Sequence, residues 1–458
     1  MQLAKSIMLK GRLCFSLFIF LTAASSAVAQ DNSPYSRYGL GNEFSGTNIT
    51  SRGMGGVSAA YADPFSVNFA NPASYSRFQA LIEQRSKKMA TGRVVLDVGM
   101  NIGSRKLTAP NTTKTFTSSD ALFSHVYVGL PIKKNWGLSF GIRPLSRISY
   151  NLTKNERLRN PLTNAPIDSV ITQFTGSGGS FLPSIGTGFG SDNFSVGLNV
   201  GYLFGKKELN THRIFINDTV EYAAANFTQN TSFGSLFYNA GAQYKIQLNK
   251  QNVLRLGVAG NWKQTINGTQ DLLRQTYTHD ASGGEVRIDS VMQLDGAEGK
   301  IIYPASYTAG ILYENAGGDK KRGWSFGVDY NTSKWQEYRF FGNTDSVQNN
   351  WGIHVGTQLS ALDKPARYGQ AVSYRFGFFA GRDYIRVKNN MPVFGVTVGM
   401  GLPIINYNRL SPYQFSMLNL ALEYGRRGND NNALKENIFR ISAGLNFTDL
   451  WFRKHKYE

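Results

Sequence analysis

The sequence predicts an all-β protein: a transmembrane antiparallel β-barrel of about fourteen strands with an N-terminal hatch in its lumen. Three observations predict it. Apolar residues alternate with Gly, Asn, Asp and Ser in segment after segment from residue 94 to residue 451. The connections between the early segments alternate between short and long. A secretion signal opens the chain, and no later apolar run is long enough for a membrane-spanning helix.

The signal comes first. Lys5, Lys10 and Arg12 form a basic region, residues 13–22 are almost wholly apolar, and small residues follow, ending in Ala27-Val28-Ala29. This is the layout of a cleaved secretory signal, and it assigns residues 1–29 to export. The apolar run falls short of the roughly 20 residues that span a bilayer. The only cysteine, Cys14, lies inside this segment. The exported chain therefore has no disulfide, thiolate metal site or cysteine nucleophile available to it.

Composition narrows the class. Charged residues make up 17% of the chain, aromatic residues 13%, and Gly accounts for 48 of 458 positions. Mean hydropathy is slightly negative, which excludes a helical membrane protein but suits strands with one lipid-facing and one lumen-facing side. The formal charge of +19 falls to +16 once the three signal cations are removed. Such a basic chain suits anionic partners, and for an outer-membrane barrel these are membrane lipid and lipopolysaccharide. The Lys and Arg residues are scattered through turns without a basic stripe, so nucleic acid is not an expected partner.

The strands follow in order. Val94, Leu96, Val98, Met100 and Ile102 alternate with Asp97, Gly99, Asn101 and Gly103. Phe194, Val196, Leu198, Val200 and Tyr202 alternate with Ser195, Gly197, Asn199 and Gly201. Trp324, Phe326, Val328 and Tyr330 repeat the pattern around Gly327 and Asp329. A two-sheet sandwich also alternates, but here Gly is the commonest partner on the second face and the pattern recurs down the chain. Fourteen strand cores are expected near Arg93, Leu122, Trp136, Ser180, Phe194, Phe233, Val253, Ile301, Trp324, Asn349, Val372, Val393, Phe415 and Asn437.

The connections at 131–135, 190–193 and 249–252 are short, whereas 151–179, 206–232 and 267–299 read as long loops. Bacterial barrels place short turns in the periplasm and long loops outside, and a sandwich offers no reason for the alternation. Trp136, Trp324 and Trp351 open strands while Trp262 and Trp451 close them, as aromatic girdles require.

Residues 30–91 alternate poorly, so the expected division is 1–29 signal, 30–91 hatch and 92–458 barrel. About fourteen strands enclose a lumen that barrel side chains alone do not fill, and irregular backbone is tolerated when it is buried there. Within this region Arg52-Gly53-Met54-Gly55-Gly56-Val57-Ser58-Ala59-Ala60 leads to Ala62-Asp63-Pro64 and then to Asn68-Phe69-Ala70-Asn71-Pro72-Ala73-Ser74. The stretch resembles the N-terminal hatch of the FadL-type transporters of long-chain fatty acids and aromatic hydrocarbons, in which a Gly/Ala-rich segment precedes an Asn-Pro-Ala motif. The resemblance implies that Gly53, Gly55, Gly56, Asn71, Pro72 and Ala73 form the hatch and gate. Pro72 fixes its own φ and holds Asn71 extended. A plain loop turn would use the same residues.

Pro144 interrupts the third strand and marks a bulge or a kink; the resemblance implies an opening in the wall there. Asp97, Asn199, Arg255, Asp329 and Glu423 fall on the lumen phase. Three roles are open to the charged ones: solvated lining, ion-pair partners of the hatch, or a headgroup site. His125, His212, His279, His354 and His455 lack ligand spacing, so no metal is expected. No nucleophile elbow or carboxylate pair points to an enzyme, and no cofactor motif is present. Two functions are expected in the cell outer membrane: passive uptake of a small hydrophobic ligand, or a scaffold or shuttle role in a secretion or assembly complex.

Overall fold

A computed structural model describes residues 32–451 apart from 84–88, 111–114, 217–222, 280–281, 283, 319, 363–364 and 405–414. The assigned signal, with Cys14, and His455 lie outside the described residues.

Fourteen strands close into one antiparallel barrel. They are β1 (Met89–Thr108), β2 (Thr115–Lys133), β3 (Trp136–Arg159), β4 (Pro166–Gly190), β5 (Phe194–Ile216), β6 (Ala224–Gln247), β7 (Asn252–Asn261 continued by Gln264–His279), β8 (Glu285–Tyr303 continued by Ser306–Asn315), β9 (Trp324–Ser333), β10 (Asn350–Leu359), β11 (Ser373–Val387), β12 (Asn389–Ile404), β13 (Phe415–Arg427) and β14 (Lys435–Trp451). The last strand pairs with the first, from Lys435 opposite Thr108 to Trp451 opposite Gly92, and this closes the ring. Each strand core read from the sequence lies in, or directly before, a separate strand. The first barrel strand begins at Met89 rather than at 92.

The outward face is apolar. Met100 and Ile102 on β1, Phe194, Val196, Leu198, Tyr202 and Phe204 on β5, and Phe394, Val396 and Val398 on β12 are all exposed. Water would penalise so continuous an apolar surface, whereas hydrocarbon would not. From Phe194 to Phe204 a tilted strand rises about 25 Å, the height of a bilayer's apolar band.

The stretches 151–179, 206–232 and 267–299 are mostly not loops, as their sequence suggested. Strands β3 to β8 run on past the apolar band as long hairpins. The β3–β4 ladder, for example, continues to Arg159 opposite Pro166. Beyond the lipid both faces meet water, so strict alternation lapses while each hairpin's own ladder continues. On β8, Val286, Ile288, Val291, Met292 and Leu294 all stay exposed.

One pair of neighbours is incompletely joined. The β2–β3 ladder runs from Lys133 opposite Trp136 only to Val126 opposite Ile142. Beyond it, β3 pairs with residues near the N-terminus: Asn42 opposite Arg147 and Glu43 opposite Ser146. Phe44 N donates to Leu145 O at 2.9 Å and Ser33 N to Ser149 O at 2.9 Å. Residues 32–44 thus replace the missing half-ladder.

Candidate functional site

Residues 32–78 pack against the inward side chains of the barrel, and Ala80–Ile82 then pairs antiparallel with the start of β1. A short helix, Ile49–Gly53, is capped by Asn48, whose Oδ1 accepts from Ser51 N at 3.0 Å while its Nδ2 donates to Val67 O at 3.0 Å. A 3-10 helix, Pro72–Arg77, is capped by Asn71. Asn71 Oδ1 accepts from Ala73 N at 3.1 Å, and Nδ2 donates to Ala59 O at 2.6 Å, close also to Val258 O at 3.2 Å on β7. The residue is fully buried. One side chain thereby joins two stretches of the segment and fastens them to the wall. Pro72 supplies the fixed φ at the helix start, and Ala73 is buried without exposed surface.

The glycines on the second face of the strands now have a cause. At one level of the lumen, every barrel strand except β13 contributes a glycine whose missing Cβ makes room for residues between Ile49 and Phe78. β13 places the small Ala421 there, opposite Gly399. A carbon on Gly377 would stand 2.6 Å from Gly55 Cα, and one on Gly356 would stand 2.8 Å from Met54 Cβ. On the opposite wall, a carbon on Gly197 would overlap Pro72 and Ala73. The segment itself turns at Gly55 and Gly56, with φ of 69° and 94°, a region that side chains disfavour. Gly53 lies against Gly399. Around the ring the wall glycines meet the segment's backbone on about half of the strands and its side chains, such as Ile49, Val57, Asn71 and Phe78, on most of the others.

Polar side chains fix the rotation of the segment. Asp329 Oδ2 accepts from Ser58 N at 2.7 Å and Ala59 N at 2.8 Å. Asp97 Oδ2 accepts from Val67 N at 3.0 Å, and Asn199 Nδ2 reaches Phe69 O at 3.4 Å. These three lumen residues hold the segment. Arg255 and Glu423 instead pair across adjacent strands, Arg255 with Glu314 at 2.8 Å and Glu423 with Arg440 at 3.1 Å. Pro144 stands opposite Phe181, and the β3–β4 register shifts immediately after it. That bulge adjoins the end of the β2–β3 ladder.

From the sequence, several contributors were given no role in holding the hatch. Arg52 donates to Asn101 Oδ1 and to Ser124 Oγ, the latter at 2.9 Å. Gln243 Nε2 donates to Ala59 O at 2.9 Å, and His354 Nδ1 lies 2.6 Å from Gly55 O. His125, fully buried, spans Ser124 Oγ and Asp97 Oδ1 at 3.0 Å each. A register shift between Gly99 and Met100 turns both Ser124 and His125 inward, which simple alternation does not foretell. Asn48 did carry a signal, a capping residue three positions before Ser51.

The lumen is layered. Near the short-turn end lies an apolar cluster of Val67, Phe69, Tyr75, Phe78, Val95 and Tyr127. At the long-hairpin end Tyr35 and Leu40 join Trp335, Tyr338, Tyr384 and Met391 in a second apolar cluster. There Arg427 holds Asp383 through two bonds of 2.7 and 3.0 Å and donates to Asn42 Oδ1 at 2.9 Å. Between the two clusters lies a chamber of about 510 Å³ with a mixed lining, in which the charged Glu43, Arg52, Arg105, Arg143, Glu423 and Arg440 stand beside apolar Leu145, Phe237 and Trp335.

A family model described as BamG matches residues 8–458. The chain belongs to the BamG family. No curated protein sequence matches it. Among solved structures, this BamG-family barrel is similar to the CymD monoaromatic hydrocarbon channel, with 14% identity over 88% of this chain and 97% of that one at a TM-score of 0.52. The Pseudomonas putida toluene transporter TodX also matches, with 14% identity, coverage of 89% and 98%, and a TM-score of 0.49. The Ralstonia pickettii toluene transporter TbuX follows with 14% identity, coverage of 87% and 97%, and a TM-score of 0.48. The likeness to CymD is one of fold, that of a FadL-like barrel.

Proposed function

We propose that this chain is an exported outer-membrane barrel that works as a sealed scaffold subunit of an envelope secretion or assembly complex, with residues 32–83 as a fixed plug. The observation that carries this is the glycine-lined seat. A gate that opens needs contacts that part at modest cost, but this segment is seated tightly against glycines on thirteen of the fourteen strands and locked by buried Asn71, Asp97 and Asp329. Removing any one of those bonds leaves a buried polar group unpaired, at about 1–3 kcal/mol each. The chamber above the plug sets buried charges beside apolar wall such as Leu145, Phe237 and Trp335, and an apolar solute filling it would have to desolvate those charges. In this reading the short turns face the periplasm. The long hairpins face outward and present the partner surface, including exposed Ile288 and Val291 on β8. Membrane lipid and lipopolysaccharide surround the apolar band. The chain's role needs no catalysis and no cofactor.

A second reading, uptake of small hydrophobic molecules, draws on one observation: the half-ladder missing between β2 and β3 beside the Pro144 bulge. There a molecule would leave sideways into the membrane.

The two readings part in one experiment. Replacing residues 268–298 with a tight turn should leave the barrel folded but release a stoichiometric partner that co-extracts with the intact chain in mild detergent. Uptake of a small aromatic hydrocarbon into liposomes carrying the intact barrel should match that of empty liposomes. Uptake well above empty liposomes, with no partner lost on trimming, would overturn the scaffold reading.

A further inference from the structure

The chamber holds more positive charge than its own acids neutralise. Arg52 is 4% exposed and donates only to uncharged acceptors: Asn101 Oδ1, Ser124 Oγ at 2.9 Å and Ser45 O at 3.3 Å. Its Nε is buried with no hydrogen-bond partner. Arg143 lies over the Phe69 ring at 5.3 Å, and among the described residues no carboxylate pairs with it. Arg440 has its acid, Glu423, at 3.1 Å. The chamber's other nearby carboxylates are largely committed: Asp383 to Arg427, and Asp329 to the N–H groups of Ser58 and Ala59. Glu43 remains as a second acid on the chamber wall. With Arg105 and Arg427 matched by Glu436 and Asp383, the lining's Arg52, Arg143, Arg382 and Arg440 face Glu43, Asp329 and Glu423, which leaves one positive charge in excess.

Excess charge away from bulk water is costly unless something of opposite sign accompanies it. Burial, with Arg440 and Arg143 nearby and Glu423 opposing, pulls the Arg52 pKa down to about 9. The same crowding would relax if an anion entered. Guanidinium groups present forked donors that match the paired oxygens of a phosphate or carboxylate, and about 510 Å³ accommodates such a group with room beside it.

We propose that the chamber is a binding site for one anionic group, a phosphate or carboxylate, held by Arg52, Arg143 and Arg440. The site goes beyond the scaffold reading and stands without it. Two sources share this chemistry. A free anion would occupy the chamber alone. A lipid headgroup would reach it through the wall where residues 42–47 line the chamber beside the β2–β3 break.

The test uses the full barrel in detergent. Calorimetry with inorganic phosphate reads the free anion, and mass spectrometry of co-purified lipid, before and after delipidation, reads the headgroup. Arg143→Gln should weaken phosphate binding at least tenfold or remove the retained anionic lipid, and Arg143→Lys should recover part of either. If R143Q fails to fold, the pair Arg440→Gln with Glu423→Gln removes a guanidinium at constant net charge and should weaken binding likewise. Phosphate binding without a retained lipid assigns a free anion; a retained anionic lipid that phosphate does not displace assigns a headgroup. If the unsubstituted barrel binds no phosphate and retains no anionic lipid, or binds either as well after R143Q and R440Q/E423Q, the site does not exist.

Discussion

Two levels of one lumen, built by the same fourteen strands and the same N-terminal segment, are filled in opposite ways. At the glycine level the wall withdraws its side chains and the segment's backbone closes the gap, as between Gly377 and Gly55 or Gly197 and Pro72. At the chamber level the wall sends in Arg105, Arg143 and Arg440, and space remains between them. Packing against backbone leaves almost no tolerance for added volume. A chamber spaced by long charged side chains tolerates small changes and depends on charge balance instead. The barrel is therefore rigid where it is sealed and adjustable where it is hollow.

That contrast can be broken most forcibly by removing the seal. Deleting residues 32–83 should convert an insulating barrel into an open pore in planar bilayers, while the strand ladder still closes through β1 and β14. A deleted barrel that stays insulating would mean that the wall, not the segment, closes the lumen. A gentler probe adds volume at the seal. Gly377→Val places methyl groups where Met54 and Gly55 run, and should cost about 3 kcal/mol of stability by overpacking. It should also expose residues 49–61 to protease while the barrel remains resistant to detergent unfolding.

How far the sequence carried these conclusions follows from the same contrast. Alternation exposed the strands because lipid on one side and lumen on the other give each strand two chemically different faces, as in the Val94 to Ile102 series. Gly was legible as the common second-face residue, but its purpose was not, because Gly99, Gly257 and Gly377 meet Ile49, Ala59 and Gly55 only after the barrel has closed around the segment. Asn71 and Pro72 stood out through turn chemistry, and the structure seats them at a helix cap against β7. The chamber was invisible: Arg52, Arg143 and Arg440 lie far apart in sequence, and no spacing rule links residues on opposite ends of the chain. The long hairpins were misread as loops because 285–300 is wet on both sides, so nothing in its pattern distinguishes strand from coil.

Two smaller effects sharpen the difference between the levels. Asn71→Ala removes the bonds to Ala59 and Ala73 and should cost about 1–3 kcal/mol, measured as a lowered denaturant midpoint with strand content unchanged. Gly46 sits at the chamber, where a methyl group would meet only an Arg143 nitrogen 3.9 Å away. Gly46→Ala should therefore stay within about 0.5 kcal/mol of the parent. A cost there equal to that of G377V would erase the distinction between the sealed and the hollow level.

The central claim is that residues 32–83 stay seated while the protein works, and a reversible lock tests it most directly. Cys14 is the sequence's one cysteine and lies before the segment and barrel, and a Cβ on Gly444 would lie 3.2 Å from that of Ile49, close to disulfide spacing. With Ile49→Cys and Gly444→Cys installed, oxidised and reduced cells should grow alike and retain the same co-extracted partner. If oxidation abolishes function and a reductant restores it, the segment must move, and the fixed plug is the wrong description.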